Sequence, residues 1–580
     1  MNNLRKMFFK QIGLIAILTT VIGVFPSVVF AQVDAGALQQ GLEQQLPLPS
    51  PLALPSPTAK DPLRPSAQPQ QGEVTFEVKS FVLEGISLLP EAQVQEILKP
   101  WVGRPVNFDD LQKACDAVME FYRKNGFTVQ AILPPQKIAN GVVKILVTEA
   151  KLSSVIVDTP DGPTRFSKET AAEYITYANP IGQPLNSKAI ERALIILNET
   201  PGVMVSSQLE PGEKDGDTAL RMQLTQPQWY QGKVEANTYG SRTTGANQGV
   251  IALNGINPLG IGDQVTVNGI YSEGSQYLQG AYSLPASKDG LRLGVSGTFL
   301  SYKNVSNYAQ SASAGYGDAW TTGVSAAYPL VREQGTNLNL NANYDIKSYM
   351  NKNLLTMQTI SSYNIKNTSL GLSGNHYDSF GGGGVSSGSV TAVLGYLDIL
   401  GTSMQGYGQY NPSSFTKFTF AGNRTQQLTQ NGETSFYMAF NGQFSSVNLN
   451  SAEQIYMGGP YGVRAYPVGQ GGGTQGGVGT VELRHQFPER ITGSLFYDIG
   501  IVQQYKNVYQ GWQGLTNANN TYSLKGAGFG VKWDWEGWNL GAMVAWQLGT
   551  NPLYNSSGQQ TNTDSTTTNP RGWFTASYQF

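Results

Sequence analysis

One arginine set among glycines and aromatic residues is the position in this sequence best suited to chemistry. It stands in Gly458-Gly459-Pro460-Tyr461-Gly462-Val463-Arg464-Ala465-Tyr466-Pro467, and Gln470-Gly471-Gly472-Gly473, a stretch expected to be very flexible, follows it. A guanidinium in such a loop can fork onto a carboxylate. A partner is supplied by Leu495-Phe496-Tyr497-Asp498-Ile499-Gly500, where period two puts Phe496, Asp498 and Gly500 on one face and Leu495, Tyr497 and Ile499 on the other. A pair between Arg464 and Asp498 is worth about 1.5–3 kcal/mol, less in a wet lumen. The residues alone leave open a solvated loop arginine beside an ordinary wall aspartate.

Other chemistry finds little material. The chain has two histidines, His376 and His485, and both read as strand residues. A nucleophile–base–orienter set is missing, so catalysis is not expected. One cysteine, Cys115, makes neither a disulfide nor a thiolate cluster, and it falls in an apolar helical stripe as a core thiol. No cofactor and no metal are expected. A net charge of −2 gives no basic surface for nucleic acid.

The elements that must position Arg464 and Asp498 are strands. Charged residues make up only 13% of the 580, against about a quarter in soluble proteins, while Gly numbers 67 and Tyr 29. From 227 to 580 the hydrophobic period is two. Leu338, Leu340, Ala342, Tyr344 and Ile346 alternate with Asn337, Asn339, Asn341, Asn343 and Asp345, and the last strand turns Phe574, Ala576, Tyr578 and Phe580 to one face. Long strands with an apolar face, aromatic ends and an asparagine-and-serine second face are the pattern of a transmembrane barrel with a wet interior. Sixteen starts are expected, near 229, 249, 263, 276, 290, 319, 336, 363, 388, 413, 434, 476, 491, 521, 538 and 570. Tight turns such as Asn257-Pro258-Leu259-Gly260 alternate with long loops at 303–318, 449–475 and 551–569. A lumen of that width needs a plug.

Ahead of the barrel the composition changes four times. Residues 1–31 read as a secretory signal, with Arg5, Lys6 and Lys10 before an apolar run and Val29-Phe30-Ala31 at the cleavage site. Residues 32–46 place Leu38, Leu42 and Leu46 on one helical face. A proline-rich linker covers 47–73, able to reach on the order of 80 Å as a polyproline II segment. Residues 74–151 and 152–226 are two tandem βααββ units, the first opening on a strand over 76–83.

These features together resemble the TpsB transporters of two-partner secretion, in the barrel superfamily that carries POTRA domains. The resemblance spans 34–580 and rests on Val463-Arg464-x-Tyr466, Phe496-x-Asp498-x-Gly500, the Asn257-Pro258-Leu259-Gly260 turn and Leu133-Pro134-Pro135-Gln136. It implies a membrane all-β fold: a 16-stranded outer-membrane barrel preceded by two periplasmic α/β POTRA domains and an N-terminal plug helix. It further implies a lumen lock between Arg464 and Asp498. POTRA domains would capture a secreted exoprotein through its N-terminal secretion domain, partly by strand pairing, and folding outside rather than ATP would drive transit. Outer-membrane lipid and the barrel-assembly machinery are the other expected partners, with Phe580 as the insertion signal. The family loop usually carries Gly where this chain has Ala465, so the tip either bends differently or never needed positive φ. The cargo, whether adhesin, haemolysin or contact-dependent inhibition toxin, is not written in this chain. Assembly of other barrels is the alternative function, and a passive porin a third that would not need capture modules.

Overall fold

The structure, a computed structural model, describes residues 34–46, 75–214, 216–310, 314–513, 519–550, 554, 560 and 562–580. The expected signal at 1–31 and the linker at 47–73 lie outside the described residues.

One short helix, α1 (Ala35–Glu43), precedes two α/β modules. Module one holds β1 (Phe76–Glu77), β2 (Ser80–Glu84), α2 (Glu91–Leu98), β3 (Pro105–Val106), α3 (Phe108–Lys124), β4 (Val129–Ile132) and β5 (Val142–Glu149). Its sheet order is β2-β5-β4, with β2 parallel to β5. Asn107 caps α3 with a reciprocal bond to Asp110, and Leu111, Ala114, Cys115, Val118 and Tyr122 form its buried stripe. Burial, with the Asp116 charge behind it, pushes the Cys115 thiol up to about 11. The single strand expected over 76–83 is broken in two: Val78 is buried and its carbonyl accepts from Gly103, while the Lys79 N–H donates to Gly141. β4 stops before Pro134, and the Gln136 side chain bonds both the N–H and the C=O of Lys144, each at 2.8 Å.

Module two repeats this topology with β6 (Lys151–Asp158), α4 (Lys168–Ala178), α5 (Ser187–Glu199), β7 (Met204–Pro211) and β8 (Asp217–Thr225), ordered β6-β8-β7 with β6 parallel to β8. Main-chain bonds from Leu185 to Ala150 and from Ser187 to Gly126 join the modules.

Sixteen antiparallel strands then close a barrel. They are β9 (Tyr230–Asn237), β10 (Gln248–Ile256), β11 (Gln264–Ser272), β12 (Ser275–Pro285), β13 (Arg292–Lys303), β14 (Gly315–Glu333), β15 (Thr336–Asn353) and β16 (Thr359–Asp378). The second half is β17 (Gly384–Ile399), β18 (Ser414–Gln427), β19 (Thr434–Ser445), β20 (Gln475–Phe487), β21 (Ile491–Gln503), β22 (Thr521–Trp535), β23 (Trp538–Gln547) and β24 (Arg571–Gln579). β24 pairs with β9, and Phe580 exchanges main-chain bonds with Gly232 to finish the seam. Closure leaves no strand edge in the bilayer, where an unpaired peptide group is costly. Leu278, Phe299, Val390, Leu394, Phe440 and Leu495 point outward and stay exposed, Leu495 at 62%. Among the described residues no helix is long and apolar enough to cross a membrane.

Module two sits on the short turns. Glu199 of α5 pairs with Arg332 at 2.7 Å, Glu173 of α4 pairs with Lys288 at 2.9 Å, and Gly202 packs on Asn257. Asn257 adopts φ 55° and its side chain accepts from the Gly262 N–H, which explains the Asn-Pro-Leu-Gly turn as a docking surface for the module.

Candidate functional site

The functional residues converge inside the barrel. The segment between β19 and β20 does not stand away from the protein: it folds down into the lumen as a narrow hairpin, with Ile455 and Gly473 exchanging both main-chain bonds at 2.9 Å. Its tip delivers Arg464, 8% exposed, to Asp498, which is fully buried on β21.

The contact is a fork. Arg464 Nε donates to Asp498 Oδ2 at 2.9 Å and Nη2 donates to Oδ1 at 2.7 Å, while the Arg464 main-chain N–H adds a bond to Oδ2 at 3.0 Å. The guanidinium face lies on the Phe496 ring, 3.4 Å from its centroid. Nη1 donates to Glu482 Oε1 at 2.6 Å, and Nη2 also donates to Thr480 Oγ1 at 2.8 Å. Glu482 is held in turn by Arg484, which lies over Tyr437. Two arginines and two carboxylates thus alternate, so the charge of the chain of four sums to zero, with the half-buried Arg484 at its outer end. A lysine has neither the fork nor the flat face.

Each position in the motifs has a mechanical reason. Val463, Ala465 and Tyr466 are fully buried with Met457, Val502 and Leu524. A β-carbon at Gly500 would stand 3.1 Å from Val463 and 3.2 Å from Met457, so glycine there makes room for the loop. Ala465 is not among the residues with positive φ, so the departure from Gly costs no strain; its methyl fills a notch over Gly526, whose own β-carbon would lie 2.7 Å away. The Ala465 carbonyl accepts from Gln547 and the Arg464 carbonyl from Trp573, tying the tip to β23 and β24.

The expected flexibility of residues 470–473 is corrected. Gln470 is fully buried and accepts from Thr563, and β-carbons at Gly471, Gly472 and Gly473 would meet Met457, Tyr456 and Val502 at 3.1, 2.6 and 2.4 Å. Those glycines permit close packing.

Helix α1 occupies the lumen beside the loop. Leu38, Leu42 and Leu46 pack on Tyr277, Leu300, Tyr302, Tyr349, Tyr363, Leu397 and Phe415 of the wall. The inner face is therefore wet asparagine and serine only in part; where it meets the leucines it is aromatic and aliphatic. The helix is shorter than its leucine spacing suggested. It ends at Glu43, and Leu46 follows in a bend before Pro47, which disfavours helical backbone in the residue before it. Asp34 caps the start and also accepts from Ser451. Gln39 donates to Thr298 at 3.1 Å and Thr321 at 3.0 Å, and the Ala35 N–H to Asn351 at 2.8 Å.

A second ionic cluster, not anticipated from sequence, joins loop and wall. Glu453, 1% exposed, receives Lys347 of β15 at 2.9 Å, Lys417 of β18 at 2.7 Å and Asn367 of β16 at 2.8 Å. The signal available was inward parity of two lysines in a wall otherwise poor in charge. His376 and His485 contact Thr336 and Thr434 through Nδ1. Among the described residues no group of three or more metal-ligating side chains occurs.

Residues 216–533 match the family of haemolysin secretion/activation proteins ShlB, FhaC and HecB, and residues 76–150 match the ShlB-type POTRA domain. The heme/hemopexin transporter protein HuxB of Haemophilus influenzae is 25% identical over 456 residues, covering 76% of this chain and 78% of that protein. The solved structure of CdiB from Escherichia coli shares the fold, with a TM-score of 0.69 at 19% identity over 90% of this chain and 93% of that one. BamA from Haemophilus ducreyi, lacking POTRA domains 1–3, is more distant, with a TM-score of 0.50 at 13% identity over 87% of this chain and 100% of that one.

Proposed function

The chain belongs to the haemolysin secretion/activation family of ShlB, FhaC and HecB, and from that premise we propose a gated export pore in which α1 is the plug and the infolded loop the lock. The protein is an outer-membrane transporter of two-partner secretion that passes a partner exoprotein, with its POTRA region in the periplasm. The observation that carries the gating is α1 itself: a helix outside the barrel sequence lies in the lumen, with its leucines buried against wall and loop.

In this reading residues 32–46 are the plug, 47–73 the tether, 74–151 and 152–226 two POTRA modules, and 227–580 the pore. The second module is assigned on its repeat of the first module's topology. The exoprotein's N-terminal secretion domain is captured in the periplasm by adding a strand to a module edge; β7, with Met204 and Leu209 exposed, offers one. Arg464 and Asp498 hold the loop while the pore rests. Removing one partner of such a buried pair strands the other charge, at a cost of about 3–5 kcal/mol. Phe580, whose ring covers Gly232 at the seam, is the residue through which the barrel-assembly machinery recognises the chain.

The test is co-expression with a long exoprotein encoded beside this chain. The exoprotein reaches the medium with the intact transporter and stays in the periplasm when residues 75–226 are deleted, while other outer-membrane barrels keep their levels. Export that is indifferent to the deletion, or a general loss of outer-membrane barrels, contradicts the reading.

A further inference from the structure

A cavity of about 460 Å³ opens at the long-loop end of the seam between β9 and β24, away from the modules. Its two sides differ in chemistry. Along β24, Arg571 and Trp573 are buried toward the protein while Gly572 and Phe574 are exposed to the bilayer side. Ala542 and Val544 of β23 and the Gly572 backbone line the cavity on that same outer side. A β-carbon at Gly572 would meet nothing nearer than a carbonyl oxygen at 3.9 Å, so glycine leaves an open notch in the lipid-facing wall.

The inner side is cationic and under-partnered. Arg571 is 7% exposed, yet its bonds to Asp564 and Thr566 are both long, 3.3 Å, and its Nε has no hydrogen-bond partner among the described residues. Charge-assisted bonds of this kind ordinarily close to about 2.7–2.9 Å, and buried guanidinium groups are ordinarily saturated. Arg242, exposed on the β9–β10 connection, faces the same space. Two guanidinium groups and a single carboxylate, Asp564, therefore line the cavity beside an apolar notch that opens on the membrane. Pro467 and Val468 of the infolded loop close the cavity toward the lumen.

We propose that this cavity binds a phosphorylated glycolipid of the outer leaflet, its phosphate between Arg242 and Arg571 and an acyl chain over Gly572, between Val544 and Phe574. The phosphate supplies the acceptors that Arg571 lacks. The acyl chain fills a wall that small side chains leave hollow. The site is independent of the plug, since none of its residues lies in α1.

The full-length protein in detergent, examined by native mass spectrometry, gives the test. Bisphosphorylated lipid A is expected to be retained, and its dephosphorylated form and phosphatidylglycerol are not. Arg242→Gln weakens retention about tenfold or more, the loss expected for a charge-assisted hydrogen bond. Gly572→Leu, whose β-carbon has room and whose branch fills the notch, abolishes it while the barrel keeps its heat-modifiable migration. Equal retention of dephosphorylated lipid A, or unaltered retention by both variants, overturns the proposal. So does full displacement of the lipid by millimolar inorganic phosphate, which would make this a free-anion site.

Discussion

Gly36 of α1 lies against Ala452 of the infolded loop so closely that a β-carbon at position 36 would stand 2.5 Å from the Ala452 β-carbon. Helix and loop thus touch without a longer intervening side chain, and Glu453, the next residue, is the one gripped by Lys347 and Lys417. Gly36→Val should force the helix off the loop. Overpacking of this kind costs about 1–3 kcal/mol, a shift of roughly 5–150-fold toward withdrawal. More frequent channel openings than wild type are expected in single-channel recordings.

Arg464→Ala should leave insertion intact, because no strand pairing depends on it, yet lower the export of the partner severalfold or more. Arg464→Lys should not restore export, since an ammonium group cannot fork onto Asp498 while also reaching Glu482 and Thr480. Quantifying the exoprotein in the medium checks both variants, with heat-modifiable migration reporting the barrel.

Ala465 and Gly526 form a size-matched pair. Ala465→Gly should cost about 1 kcal/mol for the lost methyl, and Gly526→Ala about 1–3 kcal/mol because two methyls would then compete for one space. The double variant should recover most of the second loss. Thermal unfolding in detergent across the four-protein cycle measures the coupling, and strict additivity would contradict it.

Module one carries a carboxylate whose environment sets a pH dependence. Burial opposes ionisation of Glu149, but the Ser87 hydroxyl, the Ser87 and Leu88 N–H groups and the Tyr122 hydroxyl all donate to it and hold its carboxyl below the usual range. A lowered folded pKa means the stabilisation is present above the usual glutamate value near 4.3 and is lost as pH falls through the lower folded value. Amide exchange within module one should quicken in that acid window, and Glu149→Gln should flatten the dependence.

Much of this was legible in the strands. Alternation placed Asp498 and Phe496 on the inner face and Leu495 on the outer, and the sixteen strand starts fall within a few residues of the structure. The βααββ order of both modules was visible in helical stripes and turn glycines. The lumen contacts were less accessible. Glu482 shares the guanidinium because β20 and β21 pair Thr480 with Asp498 and Glu482 with Phe496, a register that neither strand alone reveals. Glu453 meets residues far away in sequence, Lys347 among them. Glycines at 471–473 read as flexible because composition does not say whether a missing side chain leaves freedom or admits a neighbour.

The most direct measurement is the conductance of the full chain against a variant lacking residues 34–46, each reconstituted in planar lipid bilayers. With α1 as the plug, the deletion opens a larger and steadier conductance than the intact protein shows. Identical conductance from the two proteins would contradict the gated pore.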